Sequence, residues 1–317
     1  MNDIAVRPLS DDHDFGARIA GLTPAGAQDE AVRAEIARVF EDRGLIVFEE
    51  VEQSSAMHLA ISGIAGPLQS HSYKGVPMVD DKAMPGVVDI RSKTEDADIF
   101  EVEGRQLSSW IPWHFDACYT ARLNRGGVLR PITIPAEGGE TGFVDGVQLF
   151  ADLPPDLRER VRDVEVLYHP ALMFQHMRFG RPDFRVVKMH EMKHALIAGM
   201  KDEPRSIHPA IWRRADGRQV LHVCPWQADG ILGHEDPQGD ALLEELCREV
   251  LGRMRPYIHA WRPGDMVMWD NWRLLHSAMG HDPRYPRHMH RTTIEGDYGL
   301  GRFEDGAPDR PALVLMD

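Results

Sequence analysis

Cysteine is scarce in this 317-residue chain: Cys118, Cys224 and Cys247 are all there are, odd in number, widely spaced and without a Cys-x-x-Cys pair. That excludes a disulfide framework as the organising principle and points to a reducing cytoplasm. Basic residues are in deficit as well, 36 against 50 acidic, for a net charge of −14. Such a surface repels a phosphate backbone, so nucleic acid is not expected as a partner, although one buried arginine still suffices to hold a small anion. No hydrophobic run is long enough to cross a bilayer, and Met1 to Ser10 mixes Asp3 and Arg7 with isolated apolar residues instead of forming a secretory signal. The expectation is a cytoplasmic protein with no membrane partner; homo-oligomerisation is left open. No repeat or low-complexity linker interrupts the chain, which favours one domain over residues 1–317.

What is present suffices for a substantial core, with 43% apolar and 8% aromatic residues. Val32, Ile36, Val39 and Phe40 share one face of a helix predicted over Glu30 to Arg43, with Gly44 as its stop and a buried strand following at Leu45 to Phe48. Further helices are predicted at Ser54 to Ile64, Pro155 to Asp163 and Asp240 to Met254. The stretch Gly66 to Ser109 is rich in Gly, Pro, Asp and Lys, and reads as loops and short strands forming a mobile cover. Strands are expected at Gly127 to Pro135, where Pro131 implies an edge or a bulge, and at Tyr257 to Trp261, Met266 to Asp270 and Arg287 to Glu295. Short strands dominating over early helices suggest a mainly β architecture, a sandwich or jelly roll with helices outside.

Sixteen histidines generate several metal-like patterns. His190-Glu191-Met192-Lys193-His194 matches the zinc-peptidase motif, which opens the alternative of a zinc hydrolase, but no third ligand follows, and a polar surface segment is the simpler reading. His288-Met289-His290 with Glu295 has the form of a cupin motif and lacks a later histidine. His234-Glu235-Asp236 sits in a turn-rich loop. His114-Phe115-Asp116 is set differently, wrapped by Trp110, Ile111, Pro112 and Trp113, and its alternate positions present a nitrogen and an oxygen ligand to one face. His276, flanked by apolar residues beyond the Met266 strand, is the best third ligand. Two histidines and a carboxylate leave three positions open, as in non-haem iron(II) oxygenases.

Taken together, Trp113-His114-Phe115-Asp116, Gly138-Gly139-Glu140-Thr141, Trp269-Asp270-Asn271 followed by His276, and Arg287-His288-Met289-His290-Arg291-Thr292-Thr293 resemble the TauD/TfdA family of taurine and phenoxyacetate dioxygenases. The resemblance implies a double-stranded β-helix, with iron(II) held by His114, Asp116 and His276. It also implies 2-oxoglutarate as cosubstrate, its far carboxylate bound by Thr141 and Arg287, and dioxygen as oxidant. Arg291, four residues along the same strand, matches the arginine that holds an anionic substrate; pairing with Glu295 or Asp297 is its structural alternative. His71, Tyr73 and Trp110 fall where the family contacts substrate. The implied reaction hydroxylates, and where the new hydroxyl adjoins a heteroatom splits, a small anionic substrate, releasing succinate and carbon dioxide. A non-catalytic binding protein on the same fold is the other alternative.

Overall fold

The computed structural model describes residues 4–69, 73–74, 77–80, 84–92, 97–170, 173–189, 203–307 and 313–314. Two sheets dominate. Their strands begin with β1 (Ala5–Ser10), β2 (His13–Ala20), β3 (Leu45–Phe48), β4 (Met78–Asp80), β5 (Met84–Ser92), β6 (Ile99–Val102) and β7 (Arg105–His114). They continue with β8 (Gly126–Thr133), β9 (Thr141–Asp145), β10 (Phe184–Lys188), β11 (Tyr257–His259), β12 (Met266–Asp270), β13 (Leu274–His281) and β14 (Arg287–Ile294). Among the described residues the α-helices are α1 (Glu30–Arg43), α2 (Ser55–Ser62), α3 (Gly146–Asp152), α4 (Pro155–Arg160) and α5 (Pro237–Arg253).

The larger sheet runs β1-β2-β3-β12-β8-β14-β5-β4, and the smaller β10-β6-β7-β13-β9-β11. Every ladder in them is antiparallel except β2 with β3. Strand alternation divides the side chains between layers. Leu45, Val47, Val267, Trp269 and Met289 of the larger sheet meet Phe143, Leu274 and Tyr257 of the smaller in one core. Ile46, Phe48, Met266 and Met268 point the other way, against Ile36, Val39 and Phe40 of α1 and Met57 and Ile61 of α2. The fold is a jelly roll with helices packed outside, as the residues implied.

Helix α1 begins where Asp29 accepts from the Ala31 and Val32 amides and ends where Gly44 takes a left-handed φ of 75°. Ser54 caps α2, and Asp236 caps α5, which starts earlier than its periodicity suggested. Pro131 lies in an interior strand, not at an edge: β8 sits between β12 and β14, and the ladder slips beside Pro131, where its missing N–H would otherwise break the pairing. The stretch Gly66 to Ser109, expected as loops and short strands, contains β5, whose residues Val87 to Ser92 pair with β14, and much of the hairpin β6–β7 of the smaller sheet. The β1–β2 hairpin was not anticipated, because β1 is largely exposed and carries no apolar alternation. All three cysteines are buried and unbridged, and among the described residues no helix is long and apolar enough to cross a membrane.

Candidate active site

His114 ends β7 and stands directly opposite His276 in the β7–β13 ladder. Between them and Ile111 the register slips by one residue, placing Pro112 and Trp113 against Ser277 alone. Pro112 has no N–H to offer a ladder, which suits it to this bulge, and the Ser277 hydroxyl ties the bulge down by donating to the Ile111 carbonyl at 2.7 Å. The two imidazole centroids lie 4.2 Å apart. Asp116 follows in the turn after β7, with Oδ1 at 3.9 Å from His114 Nε2 and 3.6 Å from His276 Nε2. Phe115, between the ligand candidates, points away and stacks on His222 at 3.7 Å.

Protonation in this cluster suits ligation. Burial pushes both imidazoles down, His276 well below its ordinary value with His114 adding to the effect. For Asp116 burial alone would push the carboxyl up; the charge of Arg291 and its hydrogen bond to the carboxylate reverse this and hold it well below the usual carboxylate range. Neutral imidazoles beside an ionised carboxylate are the state a divalent cation requires. The tautomer agrees as well, because His114 Nδ1 faces the Pro112 carbonyl at 2.7 Å. A carbonyl can only accept, so the proton sits on Nδ1 and the Nε2 lone pair is directed toward Asp116.

A second cluster, Asp89, His288 and His290, has its candidate ligand atoms comparably close. It fails the tautomer test. His290 Nδ1 faces Arg130 Nη2 at 2.8 Å, and a guanidinium can only donate. Neutral His290 therefore carries its proton on Nε2, the atom that faces Asp89, and has no lone pair for a metal there. His288 and His290 also lie on the outer face of β14, opposite to Met289 in the core between the sheets.

Beside the first cluster a cavity of about 540 Å³ opens, lined by His114, His276, Thr141, Arg287, Arg291 and an aromatic wall of Trp110, Phe174, Trp226 and Trp269. Thr141 opens β9 and pairs with Ala278 on β13, two residues from His276. Gly138 and Gly139 deliver it there with φ of 76° and 86°. Arg287 is 7% exposed, and burial pushes it down to about 10, still cationic at neutral pH. No hydrogen bond or ion pair engages its guanidinium among the described residues. A buried cation without a partner is costly unless a ligand anion supplies the missing charge.

The family model for "Taurine catabolism dioxygenase TauD, TfdA family" matches residues 5–293. The chain belongs to the TauD/TfdA family. Among its relatives, the (S)-phenoxypropionate/alpha-ketoglutarate-dioxygenase of Sphingobium herbicidovorans is 27% identical over 297 residues, covering 92% of this chain and 95% of the relative. The alpha-ketoglutarate-dependent 2,4-dichlorophenoxyacetate dioxygenase of a Burkholderia strain is 25% identical over 288 residues, 89% of this chain and 92% of that one. A taurine dioxygenase structure from Burkholderia xenovorans shares the fold at a TM-score of 0.68 and 22% identity, covering 96% and 94% of the two chains. This TauD/TfdA chain is a 2-oxoglutarate-dependent dioxygenase, an oxidoreductase whose cofactors are iron(II), 2-oxoglutarate and dioxygen.

Of the residues singled out in this TauD/TfdA sequence, His114, Asp116, His276, Thr141, Arg287, Arg291 and Trp110 converge on one cavity wall and its metal-like cluster. His71 lies outside the described residues, as do His190, Glu191 and His194; Tyr73 is described only as backbone in a strand with Lys74. Asp236 is a helix cap, not a ligand. Arg291 pairs with neither Glu295 nor Asp297: its Nη2 donates to Asp116 Oδ2 at 2.5 Å, and its guanidinium lies 5.2 Å from the centre of the Trp269 ring. Sequence reasoning missed Trp226, whose ring meets His114 edge-on at 5.2 Å. A tryptophan in the irregular stretch Cys224 to Gln227 carries no periodicity that would have drawn attention to it.

Proposed function

We propose that this protein hydroxylates a small anionic substrate with an apolar, ring-sized body, holding iron(II) with His114, Asp116 and His276 and 2-oxoglutarate with Arg287 and Thr141. The observation that carries the reading is the Arg287 guanidinium, without a partner among the described residues, buried in the same cavity as two neutral imidazoles and an ionised carboxylate. That donor set fits iron(II): two nitrogens and one oxygen leave positions for a chelating keto acid and for dioxygen. When bound, iron(II) with 2-oxoglutarate supplies the redox chemistry, the oxidative decarboxylation to succinate and carbon dioxide coupled to insertion of an oxygen atom into a C–H bond.

The chain's own contribution is placement. Arg287 offers a planar fork to the far carboxylate of the keto acid. Thr141 Oγ1 already accepts from Trp261 Nε1 at 3.1 Å, which orients its hydroxyl proton away from the indole and toward an incoming anion. Arg291 takes the substrate's anionic group. Trp226 Nε1, Trp269 Nε1 and Arg291 Nε are buried without partners among the described residues, so the cavity walls supply donors in excess and favour an acceptor-rich ligand. Trp110, Phe174 and Trp226 pack at centroid separations of 4.9 to 5.6 Å, a wall that excludes water and complements an aromatic or alicyclic ring. One domain carries the whole site, with the segment 66–109 bordering the cavity through Ile90, Ser92, Phe100 and Ser108.

Anaerobic addition of iron(II) and 2-oxoglutarate is the first test, with a visible charge-transfer band expected. Succinate release is then scored over aryloxy acids, alkyl and aryl sulfonates, and their neutral amides. Turnover of the acids with none of the amides is expected; a folded protein that develops no band would sink the cofactor assignment.

A further inference from the structure

Asp116 uses its two oxygens differently. Oδ1 faces the Nε2 atoms of His114 and His276, while Oδ2 is taken by Arg291 Nη2 at 2.5 Å, with the two side chains only 13% and 18% exposed. The guanidinium is fixed from behind by the Trp269 face, and Trp269 is itself fully buried. Among the described residues, the cationic side chain bonded to Asp116 is thus an arginine seated on a buried ring, and it also lines the substrate cavity.

On the metal assignment proposed above, we infer that Arg291 is a resident counter-ion that the metal competes with: it neutralises Asp116 before loading, and metal binding weakens its hold and leaves it to the substrate anion. A buried carboxylate without a counter-charge is strongly unfavourable, so this pair keeps the ligand cluster together without a metal. Once a divalent cation sits at Oδ1, the guanidinium faces a like charge across one carboxylate. The interaction between charges a few ångströms apart is substantial even when partly screened. Arg291 thus stabilises the unloaded chain more than the loaded one, and by linkage it lowers metal affinity while an anion on Arg291 raises it. Arg291 is a positioning residue for Asp116 in addition to a substrate contact.

Thermal unfolding of the full chain and Arg291→Gln, in EDTA and in saturating Mn(II), tests this alongside calorimetric Mn(II) binding, with no keto acid or substrate present. Arg291→Gln is expected to unfold several degrees lower in EDTA, to recover most of that gap in Mn(II), and to bind Mn(II) about tenfold more tightly than wild type. Arg291→Lys, which keeps the charge, should retain the wild-type melting temperature in EDTA. If Arg291→Gln does not fold, Arg291→Gln with Asp116→Asn is measured instead: removing both charges should restore folding in EDTA. A gap that Mn(II) leaves unchanged, Mn(II) affinity equal to or below wild type, or a double variant that still fails to fold would each overturn the counter-ion role. Wild-type protein that binds no Mn(II) at all would count against the metal site itself, a separate failure.

Discussion

Asn271 grips the backbone of Asp116 from both sides: its Oδ1 accepts from the Asp116 amide at 2.7 Å and its Nδ2 donates to the Asp116 carbonyl at 3.0 Å. Nδ2 also reaches Asn124 Oδ1 at 3.1 Å. The turn that presents the carboxylate is thus held by a residue at the end of β12, on the opposite sheet. Asn271→Ala strands a buried amide and frees the turn. A loss of about 2 to 4 kcal/mol in stability and about 10- to 100-fold in metal affinity is expected, measured by chemical denaturation and Mn(II) titration. Unchanged metal affinity would show that the turn holds its shape unaided.

The two histidine clusters should separate cleanly. His276→Ala is expected to abolish stoichiometric Mn(II) binding while leaving the circular dichroism spectrum intact. His290→Ala, which removes an acceptor for Arg130, should bind Mn(II) within about 3-fold of wild type, since on the proposed assignment this cluster holds no metal and distant sites act independently. Loss of metal from His290→Ala with retention in His276→Ala would reverse the assignment.

Arg287 is predicted to be a stability burden that function maintains. Arg287→Met replaces a buried cation, without a partner among the described residues, by an apolar side chain of similar length, and its melting temperature should rise or hold, in keeping with the neutral or stabilising effect of such replacements. The 2-oxoglutarate KM should climb at least about 100-fold, the loss of a charge-assisted two-point contact. A variant that melts well below wild type would mean that Arg287 has structural partners after all.

Acid should destabilise the fold before the ordinary carboxylate range is reached. Burial pushes His58 and His222 down to about 3 and His208 to about 4. The unfolded chain regains the usual value of about 6.5 and binds more protons below it. Stability is therefore fully present above about pH 6.5 and is lost progressively as pH falls toward 3 to 4. Melting curves at pH 7.5, 6 and 5 check this, and a temperature that stays flat between 7 and 5 would contradict it.

Gly139 offers a steric test. It sits at φ 86°, and a Cβ there would come within 2.5 Å of Pro135 Cγ. Gly139→Ala should cost about 1 to 3 kcal/mol and raise the KM for 2-oxoglutarate through displacement of Thr141, while leaving Mn(II) affinity near wild type.

Much of this site was legible because its chemistry is local in the chain. His114-Phe115-Asp116 carries its apolar surroundings with it, and β12 shows as an unbroken run from Met266 to Trp269 because both of its faces are buried. Arg287 and Arg291 fall on one face by strand period alone. What escaped was long-range or concealed by composition. Nothing around Arg291 names Asp116 as its partner, 175 positions away, and nothing near Asn271 foretells its grip on the turn. Strand β5 lies in a Gly- and Asp-rich stretch that reads only as loops and short strands, and its place in the larger sheet comes from its pairing with β14.

The direct cross-strand pairing of His114 with His276 bears on assembly. The two imidazoles are far apart along the chain, and they become neighbours only when β13 docks beside β7. On the proposed assignment, the chain offers iron no paired imidazoles before that docking. A slip of one position during docking would turn one imidazole toward the opposite side of the sheet. If these residues hold the metal as proposed, its uptake discriminates a correctly aligned β7–β13 ladder from a misaligned one.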